Sequence, residues 1–270
     1  KYFENNKFKF ENINLSDDQN SFSISNLDLT NDLKIIDVDK IQLNYLNNDK
    51  KINKLEIFKD NKKFKLVSEN YDGKSIIKNL LKGESKKNIL KRFKNLNSEI
   101  IFSFDHFFID DKDYLKKIRG SLIIEKNKIK YGNISAKLNN NHDFSLNIKT
   151  NSKNEKVTNL LIDRPEPFVK HYKFIKGFKE GNLSYNSIEK NGISKTKLRI
   201  FDFKVKEVPV LARILTLASL QGIADLLTGE GIRFNDFEMD YKSSKKLTEI
   251  EELYAIGPAI SILMSGYIEK

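Results

Sequence analysis

Residues 7–30 read KFKFENINLSDDQNSFSISNLDLT, and their apolar positions decide the fold class. Phe8, Phe10, Ile13 and Leu15 run into the polar cluster Asp17-Asp18-Gln19-Asn20, and Phe22, Ile24, Leu27 and Leu29 follow it. Successive side chains of a strand point to opposite sides, so apolar–polar alternation around turn-forming residues predicts two antiparallel strands, each with one wet and one apolar face. The same texture extends outward through Ile41, Leu43 and Tyr45, then Phe64 and Leu66, with clusters such as Asn47-Asn48-Asp49 between. It returns at Leu122 and Ile124, at Ile134, Ala136 and Leu138, and at Phe144, Leu146 and Ile148. Asn139-Asn140-Asn141 predicts a hairpin connection between the last two. Near the end, Ile232 and Phe234, Phe237 to Tyr241, Leu247 and Ile250, and Ile260 to Met264 read as strands, with Gly257-Pro258 before the last.

Three segments break the period of two. Gly73-Lys82 spaces Ile76, Ile77, Leu80 and Leu81 as a short amphipathic helix does, and Pro165-Ile175 begins with a helix-compatible proline and aligns Phe168, Val169 and Tyr172. Pro209-Leu227 is the longest, with Gln221-Gly222 as a break and Gly229 and Gly231 as stops. Its length approaches that of a membrane span, but Arg213, Gln221 and Asp225 interrupt it, so the reading is an amphipathic element lying on a sheet. The expected architecture is mainly β: a long, curved antiparallel sheet forming an apolar groove, with these few short helices. Long β-rich runs argue against a doubly wound α/β enzyme.

The chain has 270 residues, 39% of them hydrophobic, enough for a sizeable core. It begins at Lys1 without a signal or transit-like segment and reads as part of something longer, with any anchor upstream. There is no cysteine, which excludes disulfides and thiolate metal sites. The net charge of +11 raises the question of nucleic acid or anionic membranes. The cations are nearly all Lys, with Arg at Arg92, Arg119, Arg164, Arg199, Arg213 and Arg233, whereas bidentate phosphate and guanine contacts favour Arg. Lys is spread evenly with Asn and Ile, the pattern of a solvated polar face. The 19 Phe and 10 Tyr fall mostly in phase with aliphatic neighbours, which favours a core or groove lining over a base-stacking platform.

No pattern predicts catalysis. His106, His142 and His171 have none of the spacings of a zinc site. Gly73-Lys74-Ser75 resembles the end of a P-loop, but the glycine required five positions earlier is Ser68. Gly229-Glu230-Gly231 reads as a turn. No GxSxG elbow occurs, and Asp110-Asp111 and Glu251-Glu252 read as solvent-facing acids flanking strands. Neither a metal nor a cofactor is expected.

The stretch from Leu198 to Tyr241, LRIFDFKVKEVPVLARILTLASLQGIADLLTGEGIRFNDFEMDY, resembles the C-terminal region of AsmA-like proteins, most closely the YhdP branch. The matching positions are Pro209, Leu211, Ala212, Arg213, Ala218, Ser219, Leu220, Gly222, Gly229, Gly231, Ile232 and Phe234. A closing strand adds Ala255, Gly257, Pro258, Gly266 and Ile268. Upstream, Asp163 to Tyr185 resembles the family's helix and following strand, with Glu180-Gly181 where paired glycines are usual. Residues 71–270 are similar to the family region as a groove with closing helices, and residues 1–70 to a continuation of it by strand texture alone.

The resemblance implies a non-enzymatic bridge for phospholipid between inner and outer membranes, in the periplasm, held to the inner membrane through a segment outside this chain. It implies acyl chains as the ligand and envelope proteins as possible partners, and no nucleic acid. On that reading the groove is lined by Phe104, Leu122, Ile124, Ile134, Ala136 and Leu138, continuing through Leu146, Ile148, Leu183, Leu198 and Ile200. Leu211, Ile214, Leu215, Ala218, Ile223 and Leu227 belong to the helix that closes it. The alternatives are an envelope assembly module that passes no lipid and, behind it, a basic nucleic-acid binder.

Overall fold

The computed structural model describes residues 2–4, 7–47, 50–81, 89–170, 176–207 and 231–269. Strands dominate, as the alternation predicts. The chain forms two compact units, Lys1–Asn141 and His142–Lys270.

The first unit contains β1 (Tyr2–Glu4), β2 (Lys7–Ser16), β3 (Ser21–Thr30), β4 (Ile35–Leu46) and β5 (Ile52–Asp60). β6 (Lys63–Asp72), β7 (Ser98–Phe108), β8 (Tyr114–Glu125) and β9 (Lys128–Leu138) complete it. Each strand pairs with the next, and all pairs are antiparallel except β6 with β7. That pair is parallel, with Phe64 opposite Ile100 and Leu66 opposite Phe102. Parallel neighbours require the chain to cross back over the sheet. The helix expected over Gly73-Lys82 does this as α1 (Lys74–Leu81), followed by a 3₁₀ turn at Ile89–Arg92. The returning chain docks on β4, where the Lys94 N–H donates to the Ile35 carbonyl at 2.9 Å.

The second unit contains β10 (Asp143–Thr150), β11 (Lys156–Asp163), the short helix α2 (Glu166–Val169), β12 (Lys176–Lys190) and β13 (Ile193–Glu207). Then come β14 (Ile232–Ser243), β15 (Leu247–Ile256) and β16 (Ser261–Glu269), every pair antiparallel. Of the helix expected over Pro165-Ile175, four residues form α2, and residues 171–175 lie outside the described residues. So does the helix expected over Pro209-Leu227. The two strands expected between Ile232 and Tyr241 are one continuous strand, β14. Ile260 precedes β16 in a tight turn, accepting the Gly257 N–H at 2.9 Å. A Cβ at Gly257 would stand 2.3 Å from the Arg233 carbonyl oxygen, so only glycine lets this turn pass so close to β14. Among the described residues no helix is long and apolar enough to cross a membrane.

The strands do not keep a strict period of two. Phe10 faces Leu27 and Ile13 faces Ile24, so a three-residue step in β2 meets an equal step in β3. The step passes to β4, where Leu27 pairs with Val38 and Ile24 with Ile41. It recurs between Phe104–Phe107 of β7 and Leu115–Ile118 of β8, and between Ile200–Phe203 of β13 and Phe234–Phe237 of β14. Left-handed backbone marks these places, with φ of 51° at Asn26, 53° at Lys117 and 49° at Asp202. On β12 the same role falls to Glu180-Gly181, at φ 64° and 83°. A bulge of this kind bends its strand and raises the local twist. The apolar residues on either side of the bend then turn toward one another.

Two cores result. In the first unit Leu27, Val38, Phe64, Leu96 and Ile124 are buried, with Leu90 and Phe93 of the crossover packed among them. In the second, Phe178, Phe203 and Phe234 stack at centroid spacings of 5.3 and 5.4 Å, beside Val169, Val205, Ile232 and Ala255. Truncating the central ring, Phe203→Ala, is predicted to cost about 3–5 kcal/mol in urea unfolding. Phe201→Ala, on the opposite face, is predicted to cost under about 1 kcal/mol. Equal losses at the two positions would contradict the assignment of faces.

Candidate functional site

The cross-strand registers of the second unit assemble its apolar face in rows. One row runs Phe144, Ile162, Leu183, Ile200, Phe237, Ala255 and Ile262 from β10 to β16. Ile162, Ile200 and Ala255 in it are buried, so this row roofs the core. The next row runs Leu146, Leu160, Tyr185, Leu198, Met239, Leu253 and Met264. From Leu146 to Leu253 its members are only half-buried, and Met264 is 51% exposed. A third row mixes Ile148 and Ile250 with Thr158, Ser187, Thr196 and Tyr241. Its buried Ser187 and Thr196 hydroxyls satisfy each other at 2.9 Å. The face therefore passes from a sealed core, through a half-buried apolar strip, to a row that holds the buried Ser187 and Thr196 hydroxyls.

In the first unit Phe104, Ile124, Ala136 and Leu138 are buried, while Leu122 and Ile134 are half-buried. Register places them on one face: Leu122 opposite Ile100, Ile134 opposite Gly120, Leu138 opposite Leu115. In the second unit Leu146, Ile148, Leu183 and Leu198 are half-buried and Ile200 is buried. Each unit thus gathers its share of the expected lining residues on one face, but the buried ones are walls, with no surface left to offer a ligand. Leu211, Ile214, Leu215, Ala218, Ile223 and Leu227 lie outside the described residues.

Alternation alone does not single out Leu160, Tyr185 and Leu253, which share the half-buried strip with Met239. They become visible only through pairing, because each is the cross-strand neighbour of a half-buried residue. The first unit's face has a polar interruption at Asn53. It is fully buried, its Nδ2 donates to the Lys51 carbonyl at 2.9 Å, and its Oδ1 has no hydrogen-bond partner. Tyr71 stacks on Phe104 and Phe107 nearby, and burial pushes the Tyr71 and Tyr45 hydroxyls above the ordinary tyrosine range.

The opposite face is charged. Glu238 receives both Lys197 and Arg199, and Lys197 also reaches Asp240 at 2.8 Å. In the first unit Lys63 pairs with Glu99 at 2.8 Å and Arg119 with Asp105 at 3.0 Å. These pairs occupy part of the Lys and Arg complement within the protein's own surface. A shallow depression of about 320 Å³ opens at the second unit's bend, lined by His142, Asp163, Arg164, Glu180, Gly181, Asn182 and Asp202. Glu180 there is paired with Arg233 at 3.1 Å and Lys204 at 3.8 Å. Among the described residues no group of His, Asp and Glu is arranged to hold a metal ion. His106 rests edge-on against Tyr114 at 5.4 Å, and His171 is outside the described residues. The Gly73-Lys74-Ser75 segment opens α1, with the Lys74 N–H donating to Asp72 at 3.1 Å. Gly73 serves packing, since a Cβ there would lie 2.0 Å from the Phe107 ring.

Comparison with protein-family models, with curated proteins and with solved structures finds no match to this chain.

Burial alone would push the Glu238 carboxyl upward, but the hydrogen bonds from Lys197 and Arg199 outweigh it and hold the group below the ordinary glutamate value. A carboxyl depressed on folding stabilises the protein above its unfolded pKa and stops doing so as pH falls through the folded one. Glu238→Gln is therefore predicted to destabilise the protein by about 1 kcal/mol at neutral pH, the cations being partly solvated. The gap between variant and parent in urea unfolding should shrink below about pH 4. A gap that persists unchanged in acid would contradict the pairing.

Proposed function

We propose that this chain is a segment of a non-enzymatic phospholipid conduit, the C-terminal part of an AsmA-like envelope protein of the YhdP type. The observation that carries the proposal is the half-buried apolar row from Leu146 to Leu253, unbroken by charge across the strands of the second unit. Such a strip shields an acyl chain at about 0.8 kcal/mol per methylene removed from water. The passage needs no nucleophile, metal or redox group. Contacts that are almost wholly apolar bind the chain and discriminate little among head groups. The Leu198–Ile268 resemblance supplies the envelope setting: the periplasm, inner and outer membranes at either end, and an inner-membrane anchor beyond this chain.

The sealed aromatic stack of Phe178, Phe203 and Phe234 favours a second reading, an envelope assembly module whose apolar faces serve only to hold the sheet together. Lipid content separates the two. Protein purified from bacterial membranes without added lipid is predicted to carry phospholipid detectable by mass spectrometry. Leu146→Lys and Leu198→Lys are predicted to lower that load at least about tenfold, because an ammonium set against acyl chains costs more than the ~1.4 kcal/mol such a loss requires. Asn186→Lys, on the wet face, should leave it unchanged. Lipid-free parent protein, or equal loading in all variants, would favour the assembly module.

A further inference from the structure

Among the described residues no strand pairs with the far side of β16. Its sequence, SILMSGYIE, has a single charge, Glu269. Edge strands carry free N–H and C=O groups that recruit other strands, and proteins ordinarily guard them with Lys, Pro or inward charges. β16 has none of these guards, and it is apolar on both sides. Met264 and Ile268 are 51% and 57% exposed on the side shared with Leu253; Leu263 and Tyr267 are 74% and 71% exposed on the other. That is the composition of a strand inside a sheet. The occupant it calls for is another strand, the one element that satisfies an edge's backbone groups in register.

The identity of that strand follows from a symmetry in the residues. Antiparallel pairing of β16 with itself about Ser265 sets Ile262 against Ile268, Leu263 against Tyr267 and Met264 against Gly266. The charge, Glu269, then meets Ser261. Moving the centre to Gly266 would put Leu263 against Glu269; moving it to Met264 would put Tyr267 against Ser261. Of these three registers only the one about Ser265 matches apolar with apolar at every pair inside the terminal Ser261–Glu269 pair, at the close Cβ spacing of cross-strand neighbours. The register also meets no clash at Gly266, where a Cβ would find nothing within 4 Å and room remains for Met264 of the second copy. We propose that the protein forms a two-fold dimer by antiparallel edge pairing of β16 with β16 of a second copy, an isologous contact in which each residue's partner reciprocates.

Sedimentation equilibrium of the 270-residue chain tests this, with thermal melting of every variant to confirm the fold. The parent should show twice the chain mass with a concentration-dependent fall toward monomer. Leu263→Lys with Tyr267→Lys sets lysine against lysine at both crossings and should be monomeric where the parent is dimeric. Leu263→Glu with Tyr267→Glu should also be monomeric alone, and mixing the two variants should restore the dimer. Should the charged strands disturb melting, Gly266→Val fills the space reserved for Met264 and should weaken the dimer while leaving the single chain intact. A monomeric parent at every soluble concentration, a dimer that survives the lysine pair, or assemblies larger than two would overturn the proposal.

Discussion

Within each unit the apolar face is buried by bending onto itself, and the rest of what the described residues show follows from that constraint. Flat strands of strict period two would leave whole rows of Phe, Ile and Leu in water, each side chain costing about 1.5–3 kcal/mol relative to burial. The three-residue steps resolve the conflict by bending each strand where its neighbours bend. Polar dyads occupy the outer side of the bend: Ser25-Asn26, Asp39-Lys40, Lys116-Lys117, Asn235-Asp236. One of them is fixed across strands, as the Asn26 amide donates to Asp39 at 2.7 Å. Beyond the bend the apolar faces converge into the two cores.

This arrangement explains why the face is not uniform. Residues nearest the bend, such as Ile200, Phe203 and Phe234, have partners on both arms and are sealed. Leu198 and Met239, paired with each other farther along, keep part of their surface. The opposite face carries the ion pairs of Glu238 with Lys197 and Arg199.

Much of the fold was legible in the residues. Alternation located β2, β3, β9 and β10, and the helical spacing of Ile76 and Ile77 located α1. The misses have physical causes. β5 shows its inner face as Asn53, Leu55, Ile57 and Lys59, half of it polar, so the alternation is too weak to register. β7 alternates only from Phe102 to Asp105, because Ile100, Ile101 and Phe102 are apolar in succession and the step from Phe104 to Phe107 then breaks the period. β14 reads as two strands because its step at Asn235-Asp236 looks like a turn when the partner step on β13 is not in view. The parallel β6–β7 pair depends on where a crossover lands, which no local pattern encodes. For the site, residue type and alternation agree with the registers in putting the expected lining residues on a common face within each unit. They did not separate buried residues such as Leu138 from half-buried ones such as Leu146, because burial depends on packing between strands that no single strand's pattern shows.

The central claim is that the half-buried row holds acyl chains. Photocrosslinking from a benzophenone side chain placed at Met239, in living bacteria producing the full-length protein, tests it most directly. The account predicts phospholipid adducts from Met239 and none from the same probe at Asn186 on the wet face. Adducts at neither position, or at both alike, would contradict it.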